Sequence, residues 1–158
     1  MALFSRKVDY ALLILSYLHH RPEGSSARAV AERFGLKPAF AANVLKLLCR
    51  NGVVRSQRGI HGGYVLARPA NTLFLDDLLT LLGEPFTLAD CNQQAGEDAC
   101  GLELRCPVRG AMAELNRRIR AELASVSLAD LTAPTPDGVC PSSRMEVALI
   151  VQTGGAPA

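Results

Sequence analysis

Tryptophan is absent from the 158 residues, aromatic residues reach only 5% and charged residues 20%. Apolar residues nevertheless make up 49% and are spread along the whole chain, which excludes a wholly disordered or low-complexity polymer. A chain of this size can bury roughly two-thirds of its unfolded surface without disulfide staples. There is no apolar run of about 18 residues, and the start of the chain is broken by Arg6, Lys7 and Asp9. This points away from a membrane span or a signal peptide and toward a cytoplasmic protein. No Cys-x-x-Cys pair, nucleophile and base pairing or phosphate-cradling loop is present, which disfavours an enzyme or a cluster carrier. The five cysteines, an odd number, argue against a disulfide framework. No internal repeat is found.

What the chain does have is a strong asymmetry of charge. Residues 1–70 carry 11 Lys and Arg against 3 acids, a net of +8, whereas residues 71–158 carry 6 against 12, a net of −6. The total of +2 therefore hides a basic front half suited to a polyanion. A basic, solvated helix would show the same composition, so placement of the cations has to decide.

Between Ser5 and His20, Val8, Leu12 and Leu15, with Ala11 and Leu18, recur at helical spacing, and Arg21-Pro22-Glu23-Gly24 stops the pattern. Ser25 or Ser26 can cap a second, short helix through Phe34, closed by Gly35 in the left-handed conformation. Pro38 opens a third helix with the stripe Phe40, Val44, Leu47 and Leu48, ending at Asn51-Gly52. Two helices on a three-residue joint are a helix-turn-helix. Residues 53–56 and 64–67 read as short strands joined by a basic, glycine-rich connection, which makes a wing. Residues 73–82 read as a helix capped by Thr72 or Asp76 and ended by Gly83-Glu84-Pro85. From Pro107, the positions Val108, Ala111 or Met112, Leu115, Ile119, Leu123 and Val126 alternate by threes and fours. Such a helix pairs with another helix or lies back on its own domain. Beyond Leu131 the sequence is rich in Pro, Thr, Ser and Gly, as in a flexible tail, with one apolar patch at 145–151.

The expected fold class is mainly α with a small β-hairpin. A winged helix-turn-helix domain spans 1–83, a cysteine loop 84–107, a dimerisation helix with the end of the fold 108–131, and a tail 132–158. The second helix of such a motif enters the major groove of duplex DNA, which makes Lys37, Ala39, Ala42, Asn43, Lys46 and Arg50 candidate contacts. Asn43 has the donor and acceptor geometry for an adenine edge, Ala39 and Ala42 suit thymine methyls, and the three cations suit phosphates. Arg58 near the wing tip suits a narrow minor groove.

Cys49 lies beside an apolar stripe and reads as a small buried hydrophobe, and Cys140 has no evident role. The group Cys91-x8-Cys100-x5-Cys106 differs, since three thiols within 16 residues suit a soft metal or an iron-sulfur cluster. Spacing leaves zinc and redox-active or idle thiols open as well, although zinc sites usually show a closer cysteine pair and four protein ligands. His19 and His20 are placed to favour the end of the first helix rather than to ligate.

The segments Asp9-Tyr10-Ala11-Leu12, residues 51–68 with Arg58-Gly59-Ile60-His61-Gly62-Gly63-Tyr64, and the three cysteines followed by Ser127-Leu128-Ala129-Asp130-Leu131 resemble the Rrf2 family of bacterial winged-helix transcription regulators. The resemblance covers residues 1 to about 131. It implies a homodimer on palindromic double-stranded DNA, with one iron-sulfur cluster per subunit, 4Fe-4S or 2Fe-2S, held by Cys91, Cys100 and Cys106. It also implies Arg58 as the minor-groove residue, with His61 standing where the wing often has a third glycine. IscR-like members place a His three residues after the third cysteine, but that position is Arg109, a permanent cation. Asp9 matches the aspartate that NsrR-like nitric oxide sensors supply from the other subunit; its ordinary alternative is a helix-start carboxylate. Ala42 departs from the polar residue of IscR-like members, so the operator sequence does not transfer. The expected function is a repressor whose operator affinity follows nitric oxide, another small oxidant or iron status. A cluster-free thiol switch on the same scaffold is the alternative.

Overall fold

The computed structural model describes residues 4–59, 62–89 and 105–133. Its elements, in chain order, are α1 (Arg6–His19), α2 (Ala27–Phe34), α3 (Pro38–Arg50), β1 (Val54–Gln57), β2 (Gly63–Leu66), a 3-10 turn (Ala70–Thr72), α4 (Leu75–Leu81), α5 (Arg109–Ser125) and α6 (Leu128–Thr132). The mainly helical fold with a two-stranded hairpin is the one expected from the sequence. The expectations for Ile60, His61, Cys91, Cys100 and the tail lie outside the described residues.

The first three helices start and stop where local chemistry directs. Ser5 Oγ accepts from Val8 N–H, and Ser26 Oγ accepts from Ala29 N–H at 3.1 Å, so Ser26 rather than Ser25 caps α2. Gly35 closes α2 at φ 62°, in the left-handed conformation that glycine adopts without steric cost. Lys37 caps α3 without a side-chain bond, and Pro38 supplies a first turn lacking one orphan N–H. The buried line of α3 is Ala41, Val44, Leu45 and Leu48, so Phe40 and Leu47 flank the core rather than centre it.

One core joins these parts. Val8, Ile14, Leu15 and Leu18 of α1, Val30 of α2, Val44, Leu45 and Leu48 of α3, and Leu78 and Leu79 of α4 are all buried in it, with Leu128 of α6. Burying side chains of this size contributes about 1.5–3 kcal/mol each. The strands pair antiparallel, Val54 opposite Leu66 and Gln57 opposite Gly63, one residue out from the expected limits at all four ends. The hairpin is held to the helical body by Ser25, whose N–H donates to Tyr64 O and whose O accepts from Tyr64 N–H.

Two expectations need correction. Neither Thr72 nor Asp76 caps α4: the cap residue is Phe74, Thr72 belongs to the 3-10 turn with its hydroxyl on Pro69 O, and Asp76 lies inside the helix. The reason is long-range pairing. Leu75 N–H donates to Val126 O at 2.9 Å and Leu128 N–H to Leu73 O at 2.8 Å, which keeps residues 73–74 extended. The long helix also ends at Ser125, and a separate α6 starts from the capping box of Ser127 and Asp130. The stripe of α5 divides: Ile119 and Leu123 pack on the core, whereas Val108 and Leu115 stay 57% and 46% exposed. No helix among the described residues is long and apolar enough to cross a membrane.

Candidate nucleic-acid interface and cluster site

Helix α3 turns one face into the core and leaves the other in solvent. Lys37, Ala39, Asn43, Lys46 and Arg50 are exposed and Ala42 is half-buried, so the residues expected to meet DNA share the outward side. Arg58 is exposed in the wing, just after β1. Gly59 follows it at φ 118°, and Gly62 N–H bonds back to Gly59 O at 2.8 Å, which tightens the wing turn. Lys37, Lys46, Arg50 and Arg58 have no ion-pair partner among the described residues. The cations of α5 are treated differently. Arg117 and Arg118 share Glu114, whose carboxyl they hold down at about 2 through hydrogen bonds, and Arg120 forks onto both oxygens of Asp76 at 2.9 and 3.1 Å. The front half thus presents free positive charge on a convex helix and a protruding hairpin, the form of a duplex-binding surface.

The donor set for a metal group is only partly described. Among the described residues no three Cys, His, Asp or Glu side chains converge on a metal-ion site. Cys106 carries a free, half-buried thiol three residues before α5. Asp9 is exposed in the first turn of α1, and its side-chain carboxylate has no hydrogen-bond or ion-pair partner among the described residues. A thiolate and an unpartnered carboxylate are donors that fit an iron-sulfur group. Cys49 is half-buried and packs against the core, where burial pushes its thiol up.

Four contacts around these residues carry no sequence signal, because their partners lie far apart in the chain. Lys7 Nζ pairs with Glu84 at 2.7 Å, and Glu84 is held below the ordinary carboxylate range by Lys7 and then by Ser5. Tyr10 meets Phe40 edge-on, Asn51 Nδ2 donates to Leu81 O, and Asn116 Oδ1 accepts from Leu88 N–H.

Comparison with known proteins now decides the family. The family model "Rrf2: Iron-dependent Transcriptional regulator" matches residues 4–134. The chain belongs to the Rrf2 family. Among solved structures it is similar to CymR, the global cysteine regulator of B. subtilis, at 25% identity and TM-score 0.65, over 84% of this chain and 97% of that one. It is similar to T. potens IscR at 25% identity and TM-score 0.60, over 80% of this chain and 83% of that one. Staphylococcus aureus CymR, at 23% identity and TM-score 0.63 over 83% and 98% of the two chains, shares the fold. This Rrf2 protein is a DNA-binding transcriptional regulator with a winged helix, of a family of transcription factors rather than enzymes.

Proposed function

We propose that this Rrf2 protein is a cytoplasmic, homodimeric repressor of palindromic operators, whose DNA affinity follows an iron-sulfur cluster sensing nitric oxide, another small oxidant or iron status. The observation that carries the reading is the donor set: a free Cys106 thiol ahead of α5 and an unpartnered Asp9 carboxylate facing solvent on α1. Residues 1–83 read DNA through Lys37, Ala39, Ala42, Asn43, Lys46, Arg50, Arg58 and His61. Residues 84–107 bring Cys91, Cys100 and Cys106, and residues 108–131 bring the α5 stripe. The exposed Leu115 on that stripe is suited to cover by a second copy, which would in turn offer its own Asp9.

When bound, the cluster supplies an iron whose weak oxygen-donor ligand leaves it open to small oxidants. The chain's part is to hold it, one per subunit and 4Fe-4S by preference, through three thiolates and Asp9. Loss of the cluster from these four residues would lower the affinity of the outward face of α3 for its operator. A hundredfold change in operator affinity requires about 2.7 kcal/mol of coupling.

A second reading, a cluster-free thiol switch through Cys91, Cys100 or Cys106, is favoured by the likeness to the B. subtilis cysteine regulator. The visible spectrum of anaerobically purified protein separates the two, with iron and acid-labile sulfide counted per chain and Asp9→Ala run alongside. Brown protein with matched iron and sulfide, bleached by nitric oxide and altered by Asp9→Ala, is the expected result. Colourless protein after anaerobic reconstitution would overturn the cluster reading in favour of the thiol switch.

A further inference from the structure

Helix α3 is held at each end by a side-chain contact from an element that borders the cysteine-bearing segment. At its first turn, the Tyr10 and Phe40 rings meet edge-to-face, with centroids 5.3 Å apart and planes at 76°. Tyr10 directly follows Asp9 in α1, and Lys7, one helical turn back, is paired with Glu84 at the root of the segment. At the other end of α3, Asn51 Nδ2 donates to Leu81 O at 2.5 Å, across 30 positions of sequence. Leu81 is the last residue of α4 and stands three residues before Glu84.

Neither contact is required to form α3. Asn51 sits at φ −89° and ψ 6°, a conformation open to any residue, and its backbone N–H already bonds to Leu47 O. Its side-chain amide adds a tie to α4 and nothing to the helix itself. Tyr10 is half-buried, off the line of Val8, Ala11, Ile14 and Leu15 that fills the core. Geometry gives the pair its significance. The buried Ala41, Val44, Leu45 and Leu48 seat the middle of this 13-residue helix, a rod of about 20 Å, in the core, and the two side-chain contacts fix its ends. Asn43 and Lys46 lie between the two attachments, so a shift at either end tilts the side chains that face DNA.

We propose that Tyr10 and Asn51 are positioning residues that transmit the state of the Asp9 and cysteine donor set to the reading face of α3. The inference rests on the cluster reading above and deepens it, since coupling requires contacts that differ between the two states.

The test compares wild type, Asn51→Ala, Tyr10→Leu and Tyr10→Phe, each full-length, in iron-loaded and iron-free forms. Affinity is measured at one fixed salt for a duplex that the loaded wild type selects from a random-sequence pool. The readout is the ratio of iron-loaded to iron-free affinity, with iron, sulfide and Tm recorded beside it. Wild type and Tyr10→Phe are expected to show a ratio of about 5–150, and Asn51→Ala and Tyr10→Leu a ratio within about twofold of one. Asn51→Asp, similar in shape but without the donor, replaces Asn51→Ala if that variant fails to fold. Variants that lower both affinities alike and keep the wild-type ratio would show a merely structural role and overturn the proposal. A wild type that stays colourless or has a ratio of one overturns the cluster reading and the proposal with it, whereas a coloured, responsive wild type with unchanged variants overturns the proposal alone.

Discussion

A methyl group added at Gly63 would meet Ser25 O at 2.5 Å and the Ser25 carbonyl carbon at 2.6 Å, distances no Cβ tolerates. Both atoms are backbone and cannot swing away as a side chain would. The two hydrogen bonds between Ser25 and Tyr64 sit beside this contact and join the wing to the helical body. Gly63→Ala is therefore expected to lower stability by about 1–3 kcal/mol, read as a shift in the urea midpoint at constant slope. DNA affinity should fall further than that of a variant matched in stability, because the wing carries Arg58. Gly110, in the first turn of α5, faces open space at its missing Cβ. Gly110→Ala should hold or raise stability by up to about 1 kcal/mol. Equal effects at the two positions would show that crowding at Ser25 does not set the fate of the wing.

Elements divide into those whose limits are local and those whose limits are not. Ser26, Gly35 and Pro38 act on their own neighbours, and α2 and α3 were accordingly legible in the sequence. So was the outward face of α3, since helical period alone separates Lys37, Asn43 and Lys46 from Val44 and Leu48. The start of α4 was not legible, because its extended lead-in is paired with residues 126–128, some fifty positions away. The same distance hid the Asn51 and Tyr10 contacts and the Asp76 and Arg120 fork. Helix α6 depends on one charged cap. Asp130 accepts from both the N–H and the hydroxyl of Ser127, which hold its carboxyl below the ordinary aspartate range. A carboxyl with a depressed folded pKa stabilises the fold above its unfolded value, and the contribution is lost as pH falls through the folded one. The difference in urea midpoint between wild type and Asp130→Ala should be greatest near neutrality and shrink below about pH 4. A difference that grew in acid would contradict the cap. Leu128, buried one residue into α6, links that cap to the core shared with α1.

At the scale of the whole molecule, the cations on the outward face of α3 and in the wing differ from those of α5 in whether carboxylates neutralise them. The front half holds its net of +8 with Lys37, Lys46, Arg50 and Arg58 unpaired among the described residues, while the Arg side chains of α5 at 117, 118 and 120 are bound to carboxylates of their own chain. A cation already paired gives up a partner on meeting phosphate, whereas a free one gives up only water and mobile ions. The free set should therefore dominate counterion release. Each phosphate contact steepens the fall of log affinity with log salt by about 0.9. Lys46→Ala should lower that slope by about this amount per subunit and weaken all sequences alike. Asn43→Ala should leave the slope unchanged and cost about 1–3 kcal/mol of discrimination at a single base pair. Arg28 is exposed on α2 but bonded to Glu32 at 2.8 Å, so Arg28→Ala should change the slope little. Titrations of the three variants against one duplex and its single-base-pair variants, over a range of salt concentrations, measure all of this directly. If Arg28→Ala flattened the slope as much as Lys46→Ala, pairing within the chain would not decide which cations meet DNA, and the outward face of α3 would lose its claim to be the binding surface.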